Sequence, residues 1–323
     1  MPKLKTIFFG TPDIAVPYLE LAHELTDVQL VVTQADKPRG RGMVITPCPV
    51  KSRALELGLP VRSPDKLKDI YEEVKNIPFD IGVVVAFGKI FRPDFLALAK
   101  TGFLNVHFSL LPLLRGAAPV QHSLFNNFSK TGVSVFWIAP GMDDGPLFLQ
   151  KEISVAPQDD AQSLFGKLIP LGLEALKETL TRLEAGEIIK IPQTGEPTLA
   201  PMIKKEDAQI RFDTLTAAQI HHKVRGLACG PKARAVICLH GKEEPLQILH
   251  TRLPDKAETA ADAAARAGTV LRVESQSGIL VKCVQGSIWI TEVHPAGKKP
   301  MSAAAYANGH GIKSGAEVFV FHG

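Results

Sequence analysis

The feature that most constrains this chain is an alternation in its first half. Short, uninterrupted apolar runs are each followed by residues at helical spacing. Lys5 to Phe9 is such a run, closed by Gly10-Thr11-Pro12-Asp13, and helical spacing follows from Ile14 to Leu25. Val28 to Thr33, Ile81 to Ala86, Gly102 to His107 and Val133 to Ile138 read as further strands, with a helix-like Val50 to Leu57 between the second and third runs. A strand that is apolar at consecutive positions must be covered on both faces, the condition of a parallel sheet flanked by helices. The expected fold is therefore α/β, with a doubly wound, mostly parallel sheet. Apolar residues recur at helical spacing from Ala161 to Ala185, but Pro170 and Gly172 fall inside, so a kink or break is expected there.

The pattern changes near Glu187, where three prolines and a glycine precede residue 202. Residues 187–206 read as a linker. Beyond Ala208 the segments are short and β-like (235–239, 246–249, 269–273, 279–283, 287–290), as in a small antiparallel, OB-like β-barrel. Asp255 to Ala267 is alanine-rich and charged, a loop or helix inserted between strands. A chain of 323 residues suits two such domains, a catalytic one over 1–186 and a barrel over 207–323.

Other classes are disfavoured. No run of about 18 apolar residues exists to cross a membrane. The basic start is followed by only a short apolar run without a small-residue cleavage pattern, so it reads as a first strand, not a secretion signal. Cys48, Cys229, Cys238 and Cys283 are widely spaced, as reduced thiols in a cytoplasmic protein would be. A net charge of +4 permits an anionic partner.

Candidate chemistry gathers in two places. Asn105 and His107, two apart on a strand, point to one face at its C-terminal end, where open α/β sheets bind ligands. Taken alone, such a pair is more often a hydrogen-bonded edge of the core. Gly141-Met142-Asp143-Asp144-Gly145-Pro146 is a turn with two adjacent acids, ordinarily an exposed turn. An acid held beside a histidine would fix the tautomer of its ring and raise its pKa. Gly10-Thr11-Pro12-Asp13 lacks the G-x-G-x-x-G of a dinucleotide site.

Asn105-Val106-His107, Ser109-Leu110-Leu111-Pro112, Arg115-Gly116-Ala117-Ala118-Pro119 and Asp143-x-Gly145 together resemble the signature of the folate-dependent formyltransferases. The resemblance implies Asn105, His107 and Asp143 as catalytic residues. It implies Ser109, Leu110, Leu111 and Pro112 as the loop contacting the folate. It further implies 10-formyltetrahydrofolate as formyl donor, with no metal required. Phe108 replaces the family's usual small residue or proline, and Asp144 stands where threonine is common.

Two regions bear on the acceptor. Thr33 to Gly42, with Lys37, Arg39 and Arg41 among glycines, continues to Lys51 and resembles the acceptor-stem loop of the methionyl-tRNA formyltransferases. Arg41 stands at the position of that loop's key arginine. The C-terminal segment, with Lys298 and Lys299 and with Lys204, Lys205 and Arg225 near its start, resembles the tRNA-binding barrel of the same enzymes. The stretch Arg225 to Ala233 replaces a more aromatic, proline-rich version. By resemblance the partner is initiator methionyl-tRNA, bound by Arg39, Arg41, Lys51, Lys298 and Lys299 of a monomeric enzyme. Phe136-Trp137 and Leu147 to Glu152 resemble instead the formyl-folate hydrolases, so a hydrolase or a sugar N-formyltransferase stands as the alternative.

Overall fold

The computed structural model describes residues 3–39, 44–255 and 265–321, in two compact units. The first comprises residues 1–119, 130–154 and 165–201; the second comprises 120–129, 155–164 and 202–323.

In chain order the strands up to residue 154 are β1 (Lys5–Gly10), β2 (Asp27–Val32), β3 (Lys37–Arg39), β4 (Val44–Thr46), β5 (Val61–Arg62), β6 (Ile81–Val85), β7 (Gly102–His107), β8 (Lys130–Trp137) and β9 (Leu147–Ser154). The helices are α1 (Val16–Leu25), α2 (Pro49–Glu56), α3 (Tyr71–Lys75), α4 (Pro93–Leu96), α5 (Pro119–Phe125) and α6 (Ala161–Glu184). A seven-stranded sheet runs β5-β2-β1-β6-β7-β8-β9. Its first five strands are parallel, while β8 and β9 run antiparallel. The fold is thus the mostly parallel α/β sheet that the apolar runs imply. β1 shows why: Ile7, Phe8 and Phe9 are each fully buried, so both of its faces carry core. Phe9 meets Phe87, Phe91 and Phe95 edge-on, with ring centroids at 5.5, 5.2 and 6.1 Å.

Three features differ from expectation. α6 is one continuous helix of 24 residues with Pro170 inside, so the break does not occur. The Tyr18 hydroxyl donates to the Ile169 carbonyl at 3.0 Å, and a Cβ at residue 172 would collide with that hydroxyl. Gly172 thus serves close packing against α1 and does not interrupt the helix. The loop over 34–47 contains the hairpin β3–β4, paired Lys37 to Thr46 and Arg39 to Val44. β9 has no counterpart in the sequence reading, because its outer half alternates half-buried with exposed residues and lacks an apolar run.

The second unit holds α7 (Ala217–Gly226), β10 (Arg234–Leu239), β11 (Lys242–Arg252), β12 (Val270–Glu274), β13 (Gly278–Lys282), β14 (Ser287–Pro295), β15 (Met301–Ser302), α8 (Ala303–Gly309) and β16 (Phe319–Val320). Its sheet runs β12-β13-β14-β11-β10-β16, antiparallel throughout, with β15 paired to β14. A bridge between Thr269 and Glu317 joins the two ends, and Val270 exchanges backbone hydrogen bonds with Gly315 and Ala316. The sheet therefore curls toward closure, leaving few open edges. Phe212, Ile220, Ile237, Ile248, Ile290 and Tyr306 fill its interior. Most of the alanine-rich stretch (256–264) lies outside the described residues.

Candidate active site

β7 carries Asn105 opposite Phe136 and His107 opposite Ser134 of β8. The intervening Val106 faces the other side and is 3% exposed. Asn105 is half-buried, and its amide has no hydrogen-bond partner among the described residues. His107 is nearly buried. Phe108 turns away onto the rings of Tyr18 and Phe165, at centroid distances of 6.3 and 6.1 Å. The aromatic residue that departs from the family pattern is thus absorbed into packing between helices.

The loop after β7 is held through its backbone groups, mainly by side chains of β8 and β9. Ser134 Oγ donates to the Ser109 carbonyl at 2.6 Å and accepts the Leu111 N–H at 3.1 Å. Gln150 Nε2 donates to the Leu111 carbonyl at 2.9 Å, and Ser109 Oγ donates to the Leu113 carbonyl at 2.6 Å. Leu110 and Pro112 are half-buried on this braced loop. Leu114 has a left-handed backbone, φ 61°, which sets its carbonyl 2.9 Å from His107 Nε2. A carbonyl oxygen only accepts, so Nε2 carries the ring hydrogen.

On the other side of the ring, Asp143 Oδ2 lies 3.7 Å from His107 Nδ1 and accepts the Gly116 N–H at 2.8 Å. The structure therefore brings His107 and Asp143 together, with Asn105 on the same strand face. Asp144 is exposed and lies against Gly141 instead. Burial lowers the His107 pKa below its ordinary value, opposed by the Asp143 charge and by the Leu114 carbonyl. The resting ring is neutral, with an Nδ1 lone pair facing the carboxylate. A neutral ring in this tautomer accepts a proton at Nδ1. It donates from that atom only once protonated, so donation to an oxyanion requires the proton first.

Two residues of the segment read as a linker complete the site. Gln193 Nε2 donates to the carbonyls of Asp143 and Gly145, both at 2.8 Å, and its Oε1 accepts from Arg115 Nε and Nη2 at 3.2 and 2.7 Å. Thr198 Oγ1 accepts the Leu114 N–H at 2.8 Å, and the Thr198 carbonyl accepts the Arg115 N–H at 2.8 Å. These bonds close over 48 to 84 residues of sequence, which no local pattern announces.

The basic candidates lie elsewhere. Lys51, on α2, pairs with Asp36 at 2.5 Å. Arg39 ends β3, and Arg41 lies outside the described residues. Lys298 and Lys299 are exposed on the turn between β14 and β15, where His294 Nε2 is 2.7 Å from the Lys298 carbonyl. Among the described residues, no cluster of three or more His, Cys, Asp and Glu side chains could hold a metal ion, and no helix is long and apolar enough to cross a membrane.

Comparison with known proteins matches the chain in two segments. Residues 4–180 match the formyl transferase family and residues 202–311 match the formyl transferase C-terminal domain. The methionyl-tRNA formyltransferase of Elusimicrobium minutum is 49% identical, with the alignment covering 98% of this chain and 100% of that one. The N-formyltransferase of Helicobacter canadensis, solved with folinic acid and dTDP-3-aminofucose, shares the fold at a TM-score of 0.63 and 18% identity, over 90% of this chain and 99% of that one. HypX of Aquifex aeolicus, solved with tetrahydrofolic acid, gives a TM-score of 0.60 at 13% identity, over 100% of this chain and 51% of that one. The chain belongs to the formyl transferase family, in its methionyl-tRNA formyltransferase branch.

Proposed function

We propose that this protein transfers the formyl group of 10-formyltetrahydrofolate to the α-amine of initiator methionyl-tRNA, in translation initiation. The observation that carries the reading is the end-to-end identity with a methionyl-tRNA formyltransferase, across both matched domains. The donor set around β7 suits the reaction. An unpartnered amide can donate to a carbonyl oxygen, a neutral imidazole can accept a proton, and a carboxylate lies behind that imidazole.

The donor supplies an activated formyl carbon. Asn105 donates to the formyl oxygen as negative charge builds there, an interaction whose removal typically costs about 10²–10³-fold in rate. His107 Nδ1 accepts the proton that the attacking nitrogen sheds, and Asp143 stabilises the imidazolium that results. The proton then passes from Nδ1 to the departing nitrogen, directly or through water. The braced loop Ser109, Leu110, Leu111 and Pro112 contacts the folate ring, its own backbone groups already occupied by Ser134 and Gln150.

In this reading residues 1–186 hold the chemistry, 187–206 connect and brace the site through Gln193 and Thr198, and 207–323 bind tRNA. Arg39, Arg41, Lys51, Lys298 and Lys299 supply phosphate contacts. The protein acts as a cytoplasmic monomer. The deciding experiment is a formylation assay with charged initiator tRNA, elongator methionyl-tRNA and free methionine side by side, with formate release followed in parallel. Transfer to the initiator form and little formate supports the reading; formate as the main product replaces it with a hydrolase.

A further inference from the structure

The second unit contains a hollow that the reaction does not use. It measures about 360 Å³ and is lined by Asn127, Phe128 and Ser129, by Val155 to Pro157, and by His221, His222 and Arg225 of α7. Its lining is mixed: Leu124 and Val155 are apolar, while His221 is polar, its Nδ1 3.0 Å from the Thr251 hydroxyl. Among its lining residues, the His222 ring nitrogens, the Asn127 amide and the Ser129 hydroxyl have no hydrogen-bond partner among the described residues. Side-chain donors and acceptors without a protein partner thus line a cavity that the rings of Phe128 and His222 also line.

The charge in the hollow is already committed. Arg225 Nε donates to the Asp159 carbonyl at 2.6 Å and Nη2 to the Ala156 carbonyl at 3.2 Å, with the Asp159 and Asp160 carboxylates nearby. Burial and the Arg225 charge hold both histidines below their ordinary pKa, His221 at about 4, so neither is an imidazolium near neutrality. A phosphate would find the one guanidinium already engaged. A flat, uncharged heterocycle would find faces to stack on and polar groups for its edge. Unpaired RNA bases are recognised in this manner, by stacking and by edge hydrogen bonds.

We propose that this hollow is a binding site for one unpaired nucleotide of the tRNA, its base stacked on His222 and Phe128 and its edge met by Asn127 and Ser129. The inference rests on the reading that the chain acts on tRNA. It adds a base contact to the second compact unit, which holds residues 120–129 and 155–164 as well as the segment assigned phosphate contacts.

The test uses the full-length protein and uncharged initiator tRNA, with affinity measured across a salt series for wild type, His222→Ala, His222→Phe and Ser129→Ala. Neither side chain has a hydrogen-bond partner to strand among the described residues, and thermal melts verify folding. His222→Ala weakens binding about tenfold, and His222→Phe restores it by keeping a stacking face. The slope of log affinity against log salt stays at the wild-type value in all variants. A slope reduced by about one in His222→Ala would mean a phosphate contact and overturn the proposal. Affinity equal to wild type in both His222→Ala and Ser129→Ala would also overturn it, leaving the tRNA reading intact. Wild type that binds tRNA without salt dependence removes the tRNA reading, and the nucleotide site with it.

Discussion

Gln193 holds the backbone of Asp143 from 50 residues away, its amide donating at 2.8 Å to the carbonyls of Asp143 and Gly145 in the acid's turn. Asp143 needs that support. Its φ of 47° is a left-handed conformation that a non-glycine residue adopts at a cost. The carboxylate direction is thus set by a residue that does not touch the chemistry.

The two ends of Gln193 can be separated. Gln193→Glu keeps an acceptor for Arg115 and loses both donations to the turn, while Gln193→Met loses both ends. If positioning of Asp143 is what counts, both variants lose about 10- to 100-fold in kcat with KM for tRNA near wild type. Steady-state kinetics with charged initiator tRNA reads this directly. A normal kcat in Gln193→Glu would assign the side chain to the Arg115 interaction alone.

The His107 environment makes a claim about pH. Burial depresses the imidazole pKa and the Asp143 charge partly restores it. Titration of His107 followed by NMR should therefore fall below about 6.5, the ordinary value. Asp143→Asn, which removes the restoring charge, should lower it further. The sign for stability follows. The unfolded chain binds more protons between the two pKa values, so stability is complete above about 6.5 and declines as pH falls through that window. A His107 that titrates above its ordinary value, or rises in Asp143→Asn, contradicts the neutral-base role.

Replacing the catalytic side chains themselves tests the reaction directly. His107→Ala should abolish turnover while thermal melts report a folded protein, and Asn105→Ala should cost about 10²–10³-fold in kcat. Near-wild-type turnover in His107→Ala would remove the imidazole from the mechanism.

What is legible in the sequence divides along a physical line. The parallel strands can be read because burial on both faces leaves an apolar run, as Ile7 to Phe9 and Ile81 to Val85 do. Asn105 and His107 can be read as a pair because strand period fixes their common face. β9 cannot, since an alternating strand against a hairpin partner has no such run. Pro170 misleads because a proline's local cost is weighed without the packing of the apolar face on either side of it, where Leu164, Leu168, Ala175 and Leu176 are fully buried. Gln193 and Thr198 are invisible as site residues. Their partners are 48 to 84 positions away, and a segment with three prolines reads locally as a connection.

Gly116 shows how tightly the acid is seated. Its φ is 122°, and a Cβ there would lie 2.7 Å from the Ala200 carbonyl, while its N–H donates to Asp143. Gly116→Ala forces a strained backbone against another backbone atom, at a cost of about 1–3 kcal/mol. Thermal melts should record that destabilisation. The rate should drop with it, because moving residue 116 withdraws a donor from the carboxylate. A variant as stable and active as wild type would show that the loop adapts freely.

Lys298 and Lys299 offer the cleanest reading of the second domain. Both are exposed on one turn, and neither side chain is paired with an acid among the described residues. If each neutralises one tRNA phosphate, Lys298→Ala with Lys299→Ala weakens tRNA binding at every ionic strength. It also makes the salt slope shallower by about two, since each phosphate left without its lysine takes roughly 0.9 off the slope. His222→Ala should leave that slope untouched, so the two kinds of variant separate phosphate recognition from base recognition within one domain. A double lysine variant with the wild-type slope would place these side chains in solvent and not on the nucleic acid.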